Sequence, residues 1–270
     1  MVNGKSSIVG YYDVKVNILL LPVLEDNYTY LLFHPQNKAA ALVDPGAADP
    51  ALRALRDHGL NLTAILLTHH HWDHIGGVND LLKAFPGVAI YASEPDRARI
   101  VSVSHPVKDG AVIALLESEA KVIHLPGHTQ GHVAYYFEKQ QALFCGDVLF
   151  SLGCGRVFDG TTDQLFNSMQ KIQLLPNDTL IYCGHEYTLL NLSFALSLQG
   201  SHDGLRQKLL EVQALRAASK PTVPSTLGEE KRLNPFLRTR DLELQKVLGL
   251  EGAPPAEVFR TLRIRKDQFK

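Results

Sequence analysis

The first two-thirds of the chain alternates short apolar runs with polar turns, which is the pattern of β-strands joined by turns. The predicted strands cover residues 16–24, 28–33, 39–43, 64–67, 88–91, 112–116, 121–125, 133–137, 142–144 and 180–183. Helical spacing of apolar residues predicts helices over 49–58 and 78–85. Because strands and helices are interleaved, we expect an α+β fold in which helices cover the outer faces of two packed sheets.

After about residue 187 the pattern becomes helical. Residues 189–198 are apolar with helical spacing, and Leu205, Leu209, Val212 and Leu215 form one stripe of an amphipathic helix. Pro254 and Pro255 are placed to open a last helix, where proline is favoured. We therefore predict three regions: an N-terminal extension of unknown role (1–14), a domain that carries the chemistry (15–187) and a mainly helical domain (188–270).

Composition limits the partners. Hydrophobic residues make up 45% of the chain and charged residues 20%, which excludes a disordered or fibrous protein. Lys and Arg total 27 against 28 Asp and Glu, so no general attraction to nucleic acid or anionic membrane is expected. The sequence start is polar, and no apolar run is long enough to span a membrane. Three cysteines occur, without C-x-x-C spacing. We expect a cytoplasmic protein, a monomer that acts on a small molecule.

The strongest chemical signal is the histidine-rich segment 68–74, directly after the predicted strand 64–67. In extended backbone His69 and His71 point the same way and can share one metal ion. Asp73 and His74 can both reach a second ion if the chain tightens into a helical turn. Imidazole with carboxylate suits zinc, iron or manganese. His70 should face away and Trp72 should pack; the competing interpretation is a histidine-rich surface loop that binds no metal.

Three further candidate ligands each follow a predicted strand. His128 lies in a loop after Pro126 and Gly127, Asp147 ends the segment 142–147, and His185 ends 180–185. A strand that delivers one ligand at its end holds that ligand rigidly. His124 and His132 are more simply interpreted as strand histidines with ordinary partners. Asp44, at another strand end, is either a turn residue or a carboxylate that orients a ligand imidazole.

The succession H-x-H-x-D-H, G-H-T, C-G-D and G-H-E resembles the metallo-β-lactamase superfamily of binuclear hydrolases. That resemblance implies an αβ/βα sandwich with the metals at one sheet edge. It also implies that His69, His71 and His128 hold one divalent ion, that Asp73, His74 and His185 hold the other, and that Asp147 bridges them. Two ions, zinc by preference with iron or manganese as alternatives, are therefore expected. Asp73 and Asp147 would be the catalytic carboxylates around a metal-bound hydroxide.

Further motifs resemble the glyoxalase II family, the hydroxyacylglutathione hydrolases. They are Leu24 to Tyr28, Gly153 to Thr161, Cys183 to Thr188 and the ending Arg263 to Phe269. The resemblance implies hydrolysis of S-D-lactoylglutathione to D-lactate and glutathione in methylglyoxal detoxification. It implies substrate contacts from Arg156, Phe158, Tyr187, Arg263 and Lys266.

Arg263 and Lys266 are three apart on the last predicted helix and can clamp a carboxylate, although a solvated basic end is the alternative. Tyr187 can place its hydroxyl beside the metals; the alternative is a packing residue. Animal members of the family carry lysine and tyrosine where this chain has Arg156 and Phe158, so one hydrogen bond to glutathione is lost or replaced. The Arg-x-Phe form resembles bacterial members.

Two other functions remain open from the sequence. A persulfide dioxygenase of the same superfamily would use a single iron and glutathione persulfide, but such relatives lack the long helical tail and its R-x-x-K ending. A non-catalytic binding module should have lost ligands, and all seven candidates are present. The cysteines Cys145, Cys154 and Cys183 are interpreted as small buried residues and not as nucleophiles.

Overall fold

A computed structural model describes residues 16–100 and 102–269 of the chain. The predicted extension 1–14 lies outside the described residues. The strands are β1 (Asn17–Val23), β2 (Asn27–Phe33), β3 (Ala39–Val43), β4 (Asn61–Leu66), β5 (Ala89–Ser93), β6 (His105–Val107), β7 (Val112–Leu115), β8 (Ser118–His124), β9 (Val133–Phe137), β10 (Ala142–Gly146), β11 (Leu149–Phe150), β12 (Gly153–Cys154), β13 (Leu180–Cys183) and β14 (Ser225–Thr226). The helices are α1 (Ala48–Asp57), α2 (Trp72–Ile75), α3 (Val78–Ala84), α4 (Thr162–Gln173), α5 (Thr188–Leu198), α6 (Asp203–Ala217), α7 (Leu227–Leu233), α8 (Leu242–Leu248) and α9 (Pro255–Gln268).

Within those two ranges twelve of the strands form two six-stranded sheets. The first has the order β1-β2-β3-β4-β5-β6 and the second β14-β13-β10-β9-β8-β7, while β11 and β12 pair separately. Strands β3 to β6 run parallel, as do β10 and β13. Parallel neighbours deliver the residues that follow them to the same edge of a sheet. The predicted sandwich of two sheets with helices is confirmed.

Alternation along the strands explains how the first sheet is covered on both faces. In β4, Ala64 and Leu66 join the central core, whereas Ile65 joins a separate cluster with helix α1. Leu55 and Ala51 of α1 are buried in that same cluster. The two-residue period of a strand thus gives β4 one face toward the second sheet and one toward the helices.

The C-terminal helices pack on the strand-rich part of the chain. Phe259 of α9 lies with Leu165 of α4 in the central core, and the rings of Phe166 and Phe259 are 5.5 Å apart. The chain after Thr188 also contributes a strand to the second sheet, because Ser225 and Thr226 of β14 pair with β13. In the part of the chain that the structure describes, no helix has the length and hydropathy needed to cross a membrane.

Three helices were not predicted from the pattern of apolar residues: α4, α7 and α8. The start of α4 carries a signal that could have been recognised. The Thr161 hydroxyl accepts from Gln164 N, and the Gln164 side chain accepts from Thr161 N, which is a capping box. The sequence T-x-x-Q at 161–164 is sufficient to predict that box.

Candidate metal centre

All seven candidate ligands come together where strands of both sheets end. Segment 69–74 follows β4, His128 follows β8, Asp147 follows β10 and His185 follows β13. Hydrogen bonds join the two sheets there, because Val133 N donates to Thr68 O at 2.9 Å and Tyr28 N donates to Gly184 O at 2.8 Å. The site is therefore held by rigid strand exits from two directions.

Three imidazoles form the first group of donor atoms. His69 Nε2 lies 3.0 Å from His71 Nδ1, and His128 Nε2 lies 3.1 Å from the same atom. His69 and His71 are both turned inward, as the alternation of extended backbone predicts. Three ring nitrogens that converge so closely form a potential ion site.

A second group consists of Asp73, His74 and His185. The Asp73 Oδ2 atom lies 3.6 Å from His74 Nε2 and 3.4 Å from His185 Nε2. Asp73 and His74 are neighbours, and they converge because the chain tightens into α2 at Trp72. Such a turn was expected from the sequence.

The Asp147 carboxylate lies between the two groups. Its Oδ1 is 3.4 Å from His74 Nε2, while its Oδ2 is 3.3 Å from His185 Nε2 and 3.5 Å from His128 Nε2. Glycines make room for this carboxylate. Gly146 has φ +47°, and a Cβ on Gly184 would collide with Asp147 Oδ1.

The outward nitrogens of the histidines fix which nitrogen faces inward. His74 Nδ1 donates to Asp44 Oδ2 (2.9 Å), His185 Nδ1 to Asp26 Oδ1 (2.9 Å) and His128 Nδ1 to the carbonyl of Arg156 (2.8 Å). Carboxylates and carbonyls only accept, so the hydrogen of each neutral ring sits on Nδ1. The Nε2 lone pairs then point into the site, which is the arrangement of metal-ligating histidine.

Asp44 completes the same pattern for His69. The Thr68 hydroxyl and amide donate to the two oxygens of Asp44 at 2.7 and 2.8 Å. Having given its hydrogen to Asp44, the Thr68 hydroxyl accepts from His69 Nδ1, 3.0 Å away. Asp44 also lies near His69 and His74 in a third potential ion site. Since its oxygens already accept three hydrogen bonds, it orients ligands instead of binding an ion.

Burial and charge separate the histidines into two classes. Burial and the neighbouring imidazoles hold the pKa of His69 well below its ordinary value and that of His71 at about 4. Burial also lowers the pKa of His128. For His74 and His185 burial acts in the same direction, but the Asp147 carboxylate outweighs it and raises the pKa of both. The first group is therefore neutral at pH 7, with its lone pairs available.

The donor set fits a pair of divalent cations. His74 Nε2 and Asp147 Oδ1 are buried and, among the described residues, have no hydrogen-bond partner. Both atoms face the centre of the cluster, 3.4 Å apart. Orphaned buried polar atoms are costly in a folded protein, and a cation between them would remove that cost. Five imidazoles and two carboxylates suit zinc, iron or manganese.

Two orienting residues have no counterpart in the sequence-based prediction. Asn27 Nδ2 donates to Asp73 Oδ2 at 2.9 Å, and Asp26 accepts from His185. Asp26 is the last residue of the turn between β1 and β2, and Asn27 is the first residue of β2. Both are far from the histidine-rich segment in sequence. Spacing alone carries no signal for such residues. Their only mark was the family-like motif from Leu24 to Tyr28.

The remaining histidines have partners outside the cluster or behind it. His70 turns away and lies 3.1 Å from Asp96 Oδ1, and His124 Nε2 donates to Gln130 O at 2.9 Å. His132 accepts from Asp147 N at 3.1 Å through Nε2, so it supports the backbone of that ligand.

The expectation that Trp72 packs is wrong, because its side chain is 69% exposed. It lies at the surface, at the first position of the short helix α2.

A cavity of about 380 Å³ opens over the cluster. It is lined by His71, Asp73, His128, Asp147, Phe150, Cys154, Arg156, Phe158, His185, Tyr187, Leu190, Asn191, Arg263, Lys266 and Phe269. All five residues predicted to contact substrate are in its wall. Ligand imidazoles and carboxylates form one end of the cavity, and three cationic side chains lie elsewhere in the wall.

Two aromatic side chains pack against the cluster itself. The Phe158 ring lies edge-on to His71 and His128, with centroids 5.1 and 5.2 Å away. Tyr187 stacks parallel on His185 at 4.7 Å. Phe158 contacts the two imidazoles with one edge and is otherwise 65% exposed.

The two basic residues of α9 differ in environment. Arg263 is 5% exposed, and its Nη1 donates to the carbonyls of Cys154 (2.9 Å) and Gly155 (3.2 Å). Lys266 is half-buried, with its ammonium over the rings of Phe194 and Phe269. Burial, with Arg263 nearby, lowers the pKa of Lys266 to about 8. Lys266 is therefore the more available of the two for a ligand.

The cysteines are buried thiols. Burial raises the pKa of Cys154 to about 11 and that of Cys183 to about 12, and raises that of Cys145 as well. All three are free thiols. A thiolate nucleophile requires the opposite shift, so the interpretation as inert residues agrees with their environment.

Comparison with known proteins adds a family to this geometry. The sequence model of the metallo-beta-lactamase superfamily matches residues 24–185, and that of the hydroxyacylglutathione hydrolase C-terminus matches residues 186–269. Hydroxyacylglutathione hydrolase of Synechococcus sp. (strain JA-2-3B'a(2-13)) is 47% identical over 94% of this chain and 100% of its own length. The enzyme of the same name from Rhodospirillum rubrum is 46% identical over 94% of this chain and 99% of its own. The crystal structure of the protein TTHA1623 in a di-iron-bound form superposes with a TM-score of 0.57 at 28% identity, covering 82% of this chain and all of that one.

Proposed function

Because the chain belongs to the hydroxyacylglutathione hydrolase family of the metallo-β-lactamase superfamily, we propose that it hydrolyses S-D-lactoylglutathione to D-lactate and glutathione. It is a thiolester hydrolase. The observation that carries the proposal is that one cavity is lined both by five of the seven candidate ligands and by a cationic wall, which consists of Arg156, Arg263 and Lys266. The first can activate water, and the second can hold the carboxylates of glutathione.

The metal ions belong in two places. We assign His69, His71 and His128 to one ion and Asp73, His74 and His185 to the other, with Asp147 between them. When bound, divalent ions lower the pKa of a coordinated water toward 7 and polarise a carbonyl oxygen. The choice among zinc, iron and manganese is left to metal analysis, since the donor set accepts all three.

The chain's own residues supply orientation and charge. Asp44, Asp26 and the Arg156 carbonyl hold three imidazoles with Nε2 inward. Asp73 and Asp147 place two negative charges at the cluster. No further basic group would be needed, because a thiolate leaves without prior protonation and bound divalent ions would supply an activated water. The three cysteine thiols take no part.

The substrate lies with its thioester at the cluster and its glutathione moiety along the cationic wall. Lys266 and the exposed Arg156 offer positive charge to the two carboxylates, while Arg263 supports the wall from behind through its carbonyl contacts. Tyr187, stacked on His185, lies beside the thioester position. We place the reaction in the removal of methylglyoxal adducts of glutathione.

The deciding experiment follows thioester loss by absorbance at 240 nm with S-D-lactoylglutathione, alongside metal analysis of the same sample. We expect turnover that requires metal, with two ions per chain. Absence of turnover in a metal-replete sample would contradict the proposal. Oxygen consumption with glutathione persulfide in a one-iron sample would instead indicate the dioxygenase alternative.

Asp147→Ala is the matched variant for the two-ion arrangement. We expect it to lose activity and most of one ion, because Asp147 contacts ligands of both groups. Full activity in a sample that holds a single ion per chain would contradict the binuclear arrangement.

A further inference from the structure

One carboxylate is paired with two arginines of the cationic wall, Arg156 and Arg263. Asp267 follows Lys266 on α9, and its Oδ1 accepts from Arg263 Nη2 at 2.8 Å. The same oxygen is 3.8 Å from Arg156 Nε. The side chain is 47% exposed, so it occupies solvent-accessible space between two cations of the wall. A carboxylate of a bound ligand would be attracted to that same space.

Arg263 does not depend on Asp267 for its position. Its Nη1 donates to the carbonyls of Cys154 and Gly155, and the side chain is buried in the body of the fold. The ion pair with Asp267 is an addition to those contacts. Its main effect is therefore electrostatic: the three formal positive charges of Arg156, Arg263 and Lys266 are reduced by one.

We propose that Asp267 sets the affinity of the cationic wall, as an internal counter-ion that competes with the carboxylate of the glutathione moiety for the two arginines. This inference rests on the proposed function. Glutathione is a product as well as part of the substrate, so charge on the wall binds both alike. A built-in competitor weakens both and speeds release of the product.

The test compares Asp267→Asn with wild type. The amide keeps the shape of the side chain and still accepts from Arg263, but it removes the negative charge. We expect KM for S-D-lactoylglutathione, and the inhibition constant of free glutathione, each to fall about threefold, the size typical of a partly exposed ion pair. Both decreases should become smaller as the salt concentration is raised, because the competing charges are exposed to solvent. Unaltered unfolding temperature would show that the fold is intact.

Asp163→Asn is the matched control. Asp163, on α4, accepts from Nε of Arg260, on α9, at 2.8 Å. The Asp163 side chain is 58% exposed. This variant removes a carboxylate charge from beside an α9 arginine in the same way, but Arg260 does not line the cavity, whereas Arg156 and Arg263, the partners of Asp267, do. We expect KM and glutathione inhibition to stay at wild-type values.

A KM or glutathione inhibition constant that is unchanged or raised in Asp267→Asn overturns the inference. Calorimetric titration with free glutathione tests Asp267 independently of the proposed function. If wild type fails to hydrolyse S-D-lactoylglutathione, the proposed function fails. The titration then still decides the role of Asp267, because tighter glutathione binding by Asp267→Asn supports the inference and equal or weaker binding overturns it.

Discussion

At the scale of single residues, hydrogen bonds to the outward nitrogens of the imidazoles orient the rings of the cluster. Asp44 has φ +49°, an uncommon backbone conformation that aspartate tolerates better than most residues. In that conformation its carboxylate reaches Thr68 and His74 together. One residue of the β3 exit thus fixes the orientation of two rings that follow β4.

We therefore expect Asp44→Asn to weaken metal binding by about 10- to 100-fold, since partners behind the ligands have effects of that size. If the asparagine oxygen accepts from the Thr68 amide, its NH₂ group faces the Thr68 hydroxyl and His74 Nδ1. In either orientation one oxygen cannot replace both carboxylate oxygens. Metal affinity measured by competition with a chelator checks this. Asp49→Asn, at the exposed start of α1, is the control. Equal affinity for the wild-type protein and Asp44→Asn would mean that the Asp44 contacts are incidental.

Lys266 gives a pH dependence with a definite sign. Its pKa is lowered to about 8 by burial and by Arg263, so the ammonium is charged below that pH and neutral above it. The substrate carboxylates stay ionised throughout. The attraction is therefore present at pH 7 and is lost as pH rises through about 8, so KM should rise there. The profile of kcat/KM against pH measures it.

Lys266→Arg separates this titration from that of other groups, because arginine remains protonated at all these pH values. We expect the rise in KM near pH 8 to disappear in Lys266→Arg. Lys266→Ala should raise KM about tenfold at pH 7, a loss of ~1.4 kcal/mol, with little change in kcat. An alkaline limb that is identical in wild type and Lys266→Arg would exclude Lys266 as its origin.

At the scale of elements, the sequence predicted those parts of the fold that rest on local patterns. β3, β9 and β13 were predicted at the residues where they occur, because each is a buried apolar run between polar breaks. The two-residue strand β14 was missed, since pairing with β13 and not local propensity makes it a strand. The convergence of strand ends was predictable, but the roles of Asp26 and Asn27, at the start of β2, were not.

Helix α4 offers a test of a local signal that the apolar pattern overlooked. Thr161→Ala removes the hydroxyl that accepts from Gln164 N, and loss of a cap costs about 1 kcal/mol. Because Leu165 and Met169 of α4 are buried in the central core, we expect the whole fold to be destabilised by that amount. Denaturant unfolding measures the free energy. Thr162→Ala, one residue inside the helix, should have a smaller effect; equal effects would mean that the box contributes nothing.

At the scale of the whole molecule, the metal cluster joins the two sheets. His69, His71, Asp73 and His74 follow a strand of the first sheet, whereas His128, Asp147 and His185 follow strands of the second. Asp147 contacts His74 across this boundary as well as two histidines of its own sheet. Ions bound there connect the sheets at the edge where the cavity opens.

Metal removal should therefore lower the stability of the fold as well as abolish activity. Ions that bind the folded chain and not the unfolded one stabilise it by RT ln(1 + [M]/Kd), about 4 kcal/mol for each ion at a thousand times its dissociation constant. Without them the buried atoms His74 Nε2 and Asp147 Oδ1 face each other without a partner among the described residues. We expect a chelator to lower the unfolding temperature by several degrees and re-added metal to restore it. The chelator should have a smaller effect on Asp147→Ala, which has less metal to lose. An unfolding temperature that does not change when metal analysis shows complete removal would mean that the ions serve the reaction alone and do not hold the sheets together.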